Sequence, residues 1–299
     1  MNRFTITAIL LAGGLMLSTS ASAAVGCTRD SVQDAVDAYI EAQSTGDTSG
    51  LDLAMGLAYI ENMQVVPIGE GVIQDAMDIF FHRTLIDATT CQSFTEVVVT
   101  DPAHPYVIGT RLRVNGGAIV EIEMLVTDED DWLFDAQNYA TWLPQENWDP
   151  IPARRQDDYA TLIAAANAYL DAFVLGDTEG VPWGYPCVRT EGGMRTVSDR
   201  LADPEMTCDP GVPSGVNIVD RRFIADVTTG SVVVFCTFGV GGLPDTHLFR
   251  VEEGELRWVH TLTALPEGFQ FGGGGPGRGG PGRGGPGRRG GGPGGIPGL

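Results

Sequence analysis

Apolar and polar positions run along this chain in two blocks of the same order. Each block opens with apolar residues at helical spacing, over 30–45 and 157–175. Each of these stretches is closed by Gly-Asp, which predicts an amphipathic helix with a glycine stop. An irregular stretch follows in both. Then come runs of β type: Phe94–Thr100, Tyr106–Val114 and Ala118–Thr127 in the first block; Arg221–Val227, Ser231–Val240, Thr246–Val251 and Glu255–Leu262 in the second. The last two runs of each block are joined by short turns, Asn115-Gly116-Gly117 and Glu253-Gly254, which suit hairpins.

The two blocks are copies. AYIEAQSTGDTSG at 38–50 matches AYLDAFVLGDTEG at 168–180, an offset of 130 that also places Glu61 on Glu191. RVNGGAIVEIE at 113–123 matches RVEEGELRWVH at 250–260 with an offset of 137, so the second copy carries a net insertion of seven residues. Three matches in one order mark an internal duplication. Pro144, Pro150 and Pro152 mark a stiff connection, 144–152, between the copies.

The final hairpin suggests a site. With Glu253 and Gly254 at its two turn positions, Val251 faces Leu256, Phe249 faces Trp258 and His247 faces His260. All six then share one apolar face, and directly opposed side chains meet at about 5 Å between Cβ atoms. Two of the four histidines would touch there, as an acid–base pair or half of a metal site; a structural pair is the plainer alternative. In the first copy the same construction pairs Thr110 with Glu123 and Leu112 with Glu121. Glu121 and Glu123 are read as lining a solvated face or the interface between copies rather than as a carboxylate pair. Glu61 and Glu191 recur in both copies, as buried bases or as anchors of a turn. Arg221, Arg222 and Asp226 read as a sheet-end ion pair of little energetic worth. Asp245 beside His247 could orient an imidazole, but a Pro-Asp turn before a strand is the plainer reading. Trp183 and Tyr185, near Cys187, would rim a pocket for a ring-shaped ligand or cover a helix end. No phosphate loop, dinucleotide fingerprint, nucleophile elbow, zinc-spaced Cys/His cluster or HExxH motif is present.

Charge and cysteines bear on the setting. The net charge is −21, with no lysine among the 18 cations. Removing Arg3 and the four arginines after Phe271 from that total leaves −26 on the part between, which repels polyanions and argues against nucleic-acid binding. Residues 1–23 read as a secretory signal: Arg3, an apolar run from Ile6 to Leu17, and Ala21-Ser22-Ala23 as cleavage site. The expected location is secreted or periplasmic, with a lipoprotein anchored through Cys27 as the alternative. No other segment is apolar for long enough to cross a membrane. Of five cysteines, Cys236 lies in an apolar run and reads as a buried thiol. The economical pairing of the rest is one bridge per half, Cys27–Cys91 and Cys187–Cys208, although spacing alone leaves connectivity open. Residues 272–299 hold 17 Gly, 5 Pro and 4 Arg; such a tail is expected to be disordered and to touch anionic envelope polymers or the acidic body.

Several stretches carry a resemblance: CTRD (27–30), LDLA and YIENMQ (51–64), IGTRLRVNGGAIVEIEMLV (108–126), ANAYLDAF (166–173), VPWGYPCVRTEGG (181–193), TCDPGVPSGVNIVDRRFIADVTTGSVVVF (207–235) and PDTHLFRVEEGELRWVHTLT (244–263). Together they resemble a family of secreted, functionally uncharacterised proteins best known from fungi. Met63, where that pattern tends to have Gly, and the Arg-Gly tail depart from it. The helix-then-sheet layout is similar to the nuclear-transport-factor-2-like, or SnoaL-like, fold. The resemblance implies an α+β protein with two such domains in tandem, 27–143 and 153–265, each a curved antiparallel sheet wrapped around helices and packed as a monomeric pseudo-dimer. Members of the wider fold include cofactor-free isomerases, dehydratases and lyases, and plain binding domains. The expectation is therefore an exported small-molecule lyase or isomerase working by proton transfer, with no organic cofactor and no metal. His247 and His260 would be base and acid, Glu191 a helper, Phe249 and Trp258 the walls. The rival is a non-catalytic extracellular or envelope binding module for a small apolar, aromatic or sugar-like ligand, and a third reading is a pure interaction scaffold.

Overall fold

The computed structural model describes residues 27–197, 207–209, 211–266, 268 and 269. The expected signal segment, 1–23, and the Gly/Pro/Arg tail, 272–299, lie outside them.

Helix α1 (Arg29–Thr45) begins at Thr28, whose hydroxyl accepts the Ser31 N–H while the Ser31 side chain accepts the Thr28 N–H, a reciprocal cap. It ends at Gly46 in the left-handed conformation, φ 72°. Strands β1 (Leu53–Glu61), β2 (Gln64–Val65), β3 (Ile79–Asp87), β4 (Gln92–Val99), β5 (Tyr106–Asn115) and β6 (Ala118–Thr127) follow, in the spatial order β2-β1-β6-β5-β4-β3. A short helix α2 (Ala136–Trp142) leads to the second half: α3 (Tyr159–Leu175), then β7 (Trp183–Glu191), β8 (Met194–Val197), β9 (Ile218–Asp226), β10 (Ser231–Phe238), β11 (Leu243–Glu252) and β12 (Glu255–Thr263). The second sheet runs β8-β7-β12-β11-β10-β9, the same order strand for strand. The caps repeat too: Asp158 caps α3 by accepting the Thr161 N–H at 2.8 Å, and Gly176 closes it at φ 67°.

The fold is α+β, but the sheets are mixed rather than antiparallel. β1 pairs with β6, and β7 with β12, in parallel. Both strands escape a reading by alternation. β1 contains Gly56 and an outward Met55, and β7 carries Pro186, so neither shows a clean apolar face.

Each sheet is covered on both faces. Val97 of β4 and Ile108 of β5 pack beneath α1 with Val36 and Tyr39. In the second half Val232, Val234, Phe249 and Val259 pack beneath α3 with Leu162, Tyr169 and Phe173. The alternate residues of the same strands, Phe94 and Val98 against Val233 and Phe235, meet between the sheets with Leu85, Leu125, Ile224, Leu248 and Leu262. The layers are helix, sheet, sheet, helix. This explains why β4 is buried along its whole length, and β10 over six of its eight residues.

The two halves clasp each other reciprocally where β3 meets β9. The Asp226 carboxylate accepts the Ile86 N–H at 3.1 Å and pairs with Arg29 at the start of α1, at 2.8 Å. Its counterpart Asp87 accepts the Ala225 N–H at 3.2 Å and the hydroxyl of Tyr159, at the start of α3, at 3.1 Å. Each contact is the image of the other under the duplication, as in an isologous dimer interface. Asp226 is 1 % exposed and bonded to a buried amide, so the sheet-end ion pair expected of it is instead part of the interface. The connector docks as well: the Ile151 N–H donates to Thr228 O at 2.8 Å, and Trp148 stacks beneath the Arg83 guanidinium at 4.1 Å.

Candidate functional site

The final hairpin corrects the expected histidine pair. Val251 does face Leu256 and Glu252 faces Glu255, as the Glu253-Gly254 turn requires. Beyond them the register slips by one: Arg250 faces Trp258, Phe249 faces Val259, and His247 faces Thr261. Arg257 is the extra residue, a β-bulge, and it inverts every later side chain of β12. His260 therefore points between the sheets while His247 points at α3. The first copy has the same device. Val114 faces Ile119, Val120 is bulged, and Leu112 then faces Ile122 rather than Glu121 while Thr110 faces Met124 rather than Glu123.

On the face between sheets, His260 is held in a buried ionic network. Its Nε2 lies 2.8 Å from Glu146 and its Nδ1 2.6 Å from the Tyr139 hydroxyl, which donates to Glu96 at 2.5 Å. Arg83 lies 3.5 Å from Glu96 and 3.7 Å from Glu146, and Trp148 donates to Glu146 at 2.9 Å. Burial pulls the His260 pKa down, but Glu146 and then Glu96 outweigh it and hold the pKa above the ordinary value. Burial raises the pKa of Glu96 and Glu146. It is outweighed by Arg83 and then His260 for Glu96, and by His260 and then Arg83 for Glu146, so both end below the usual carboxylate range. All members except His260 come from the first copy or the connector, so the network ties the halves together. At the position related by the duplication, Arg222 pairs instead with Glu123, which with Glu121 is also bridged by Arg111 at 2.6 Å to each. Glu123 thus sits at an interface between copies, while Glu121 pairs with Arg111 and Arg113 of its own copy.

The interior beneath α3, a chamber filled by its own side chains, holds the other cluster. His247 Nε2 lies 2.6 Å from Asp245 Oδ2, and Cys236 Sγ lies 3.5 Å from the same oxygen. Cys236 and Asp245 are opposed on β10 and β11, with His247 two residues along the same face. Thr263 donates to Asp245 Oδ1 at 2.7 Å, and the Thr261 hydroxyl meets His247 Nδ1 at 3.1 Å. Asp245 is therefore a buried strand residue rather than the turn residue expected of it. Burial, and then the Asp245 carboxylate, push the Cys236 thiol well above its usual pKa. Tyr169 of α3 packs its ring 5.6 Å from His247 and accepts from Arg189 Nε at 2.7 Å; burial pushes its hydroxyl up to about 12. Arg189 pairs with Glu191, which also accepts from Trp132 Nε1 at 3.0 Å.

The remaining expected site residues divide between the faces. Phe249 stacks parallel to His247 at 6.0 Å, and Trp183 closes the chamber against Tyr169 at 5.8 Å. Trp258, opposed to Arg250, lies on the His260 side of the sheet and is no wall of this chamber. Tyr185 is 56 % exposed and stands outside it. Glu191 is inside, held by Arg189. Its first-copy counterpart Glu61 bonds the Tyr59 hydroxyl and accepts the Val72 N–H at 2.5 Å, an anchoring role. His247 is 1 % exposed and Asp245 fully buried, so a solute reaches them only if the chamber opens. An open surface depression of about 570 Å³ lies elsewhere, between Ile40, Met77, Ile79 and His82 of the first half.

Sheet register gives the first-half counterparts of the cluster: Val97 for Cys236, Ile108 for Asp245, Thr110 for His247, Met124 for Thr261 and Val126 for Thr263. Thr110 there only pairs with the Tyr39 hydroxyl at 2.6 Å. A lobe on this plan is thus completed by mainly apolar residues. The disulfides form one per half, Cys27–Cys91 and Cys187–Cys208, leaving Cys236 as the buried free thiol. They fit an oxidising environment. No described helix is long and apolar enough to cross a membrane.

Comparison with known proteins reaches the second half only. Residues 155–263, from just before α3 to the end of β12, match a family model described as a domain of unknown function, DUF8021. No curated protein and no solved structure matches the chain.

Proposed function

We propose that this is an exported two-lobed module of the nuclear-transport-factor-2-like fold that binds a small ligand in the inner chamber of its second lobe. The observation that carries the reading is the contrast between two chambers built on one plan. One is filled by Val97, Ile108, Thr110, Met124 and Val126; the other keeps Cys236, Asp245, His247, Thr261 and Thr263 at the same places. Buried polar groups cost free energy unless paired, so a lobe that retains them where its twin does not has a use for them. The test is a thermal-shift screen of the protein from residue 24 onward against phenols, monosaccharides and small apolar solutes. The reading expects a stabilising solute whose effect is lost in Trp183→Ala and kept in Leu53→Ala, the equivalent first-lobe change. No stabilising solute, or one equally affected by both substitutions, overturns it.

A second reading has its own observation, the imidazole–carboxylate pair of His247 and Asp245 in an apolar chamber. Such a pair suits a general base in a cofactor-free lyase or isomerase. His260 and Trp258, on the other face, have no part in it, and Glu191 acts through Arg189. Turnover of any solute found in the screen, abolished in His247→Gln with binding retained, decides for this reading; binding without turnover decides against it.

A further inference from the structure

We propose that Cys236, Asp245 and His247 form a binding site for one divalent cation of the zinc class, resting on the reading that the second chamber is the binding one. The three residues offer a sulfur, a carboxylate oxygen and an imidazole nitrogen, all within 4.8 Å of one another and all buried. Two ligands each about 2.0–2.3 Å from a shared zinc ion stand at most about 4.6 Å apart, so small side-chain rotations close the set on an ion.

The surroundings are those of a ligand set. Thr263 occupies Asp245 Oδ1 and Thr261 occupies His247 Nδ1, which leaves Oδ2 and Nε2 turned toward Cys236 Sγ. Fixing the second atom of each ligand by a hydrogen bond is how proteins orient metal ligands. His247 Nε2 and Asp245 Oδ2 already lie 2.6 Å apart, with Cys236 Sγ 3.5 Å from the same oxygen. A cation seated among the three would take the Nε2 lone pair and replace the imidazole–carboxylate contact. Thiolate, carboxylate and neutral imidazole together carry two negative charges, which balance a dication; its arrival displaces the thiol proton to solvent. Sulfur with imidazole selects zinc-class ions over calcium and magnesium, which take oxygen ligands. The twin lobe supplies the control, since Val97, Ile108 and Thr110 fill the same positions without ligand chemistry for such an ion. An Nε2 bound to a cation has no lone pair for proton abstraction, so this site and the general-base reading exclude one another.

The experiment is titration of the chelator-treated, disulfide-intact protein with Zn²⁺ by calorimetry and with Co²⁺ by absorption. One equivalent is expected. Co²⁺ is expected to show a thiolate-to-metal band in the near ultraviolet, and because the four other cysteines are in disulfides such a band can come only from Cys236. Cys236→Val, which installs the residue of the twin lobe, should abolish the band and weaken Zn²⁺ binding by at least about 100-fold, and Thr263→Val should weaken it by about 10- to 100-fold. No stoichiometric uptake, uptake without the cobalt–thiolate band, or undiminished affinity in Cys236→Val overturns the proposal. The band is read on the unsubstituted protein, so the test holds even where a variant fails to fold. An organic solute that binds a chamber taking up no metal overturns this site alone and leaves the wider binding reading in place.

Discussion

Replacing Asp226 by Ala should be among the costliest single polar substitutions in this protein. The carboxylate accepts the Ile86 N–H across the interface, accepts the Thr228 N–H within its own turn at 2.9 Å, and pairs with Arg29. Its loss strands the buried Ile86 amide, which costs about 1–3 kcal/mol. The local turn bond adds roughly 1 kcal/mol. The Arg29 pair adds little, about 0–1 kcal/mol, because that side chain is 42 % exposed. The sum is near 3 kcal/mol, and for a chain of this size each kcal/mol lowers Tm by about 2–4 °C, so a fall of roughly 6–12 °C is expected. Scanning calorimetry measures it. Asp87→Ala, its image, should fall in the same range, whereas Arg29→Met should move Tm by no more than about 4 °C. A shift below 2 °C in Asp226→Ala, or an Arg29→Met variant equally damaged, would refute the assignment of the stability to the interlobe amide.

Three further outcomes follow from the geometry. The raised His260 pKa stabilises the fold fully below pH 6.5 and fades as pH rises through the raised value; the lowered Glu96 and Glu146 pKa values stabilise it above pH 4.5 and fade below. Tm should therefore peak between those limits, and His260→Gln should flatten the alkaline decline; an unchanged decline in that variant counts against the network. Peptide mapping should recover Cys27–Cys91 and Cys187–Cys208 as disulfides, worth about 4 and about 3 kcal/mol in the chain-entropy account, with Cys236 unreactive to thiol reagents until denaturant is added. Gly193→Ala should destabilise by about 2 kcal/mol or more: its φ is 116° and a Cβ there would lie 2.2 Å from Asp135 O, which hydrogen exchange at α2 would reveal.

What was legible in the sequence was local chemistry. Gly46 and Gly176 announce helix ends, and Asn115-Gly116-Gly117 and Glu253-Gly254 announce hairpins, because a stop or a turn is decided by a few adjacent residues. The duplication added the equivalence of the halves, and the economical pairing of one bridge per half added the disulfides, although the two bridges are not images of one another. The candidate site was only half legible. His247, Phe249, Glu191 and Trp183 share the α3 side of the second sheet, but Arg257 and Val120 bear no mark of being bulged, and one extra residue reverses which face a side chain takes. Cys236 was visible only as a core thiol, and Asp245 as a turn acid or an orienter of His247, because the meeting of Cys236 with Asp245 depends on the β10–β11 register. The network of Arg83, Glu96, Tyr139, Glu146 and His260 depends on packing between halves, which no periodicity records.

The interlobe contacts have a bearing on divergence. In a dimer of identical subunits every substitution appears at both ends of the two-fold axis, so a residue that suits one end must be tolerated at the other. Here both ends belong to one polypeptide, and they have drifted apart: Arg83 meets Glu96, which also faces His260, at one, while its double Arg222 meets Glu123 at the other. The reciprocal aspartate clasp holds the partners together through that drift, and their effective concentration no longer depends on how much protein is present. One lobe was thereby free to carry Val97 and Ile108 where the other carries Cys236 and Asp245, a buried polar pair that a symmetric assembly would have had to bear twice.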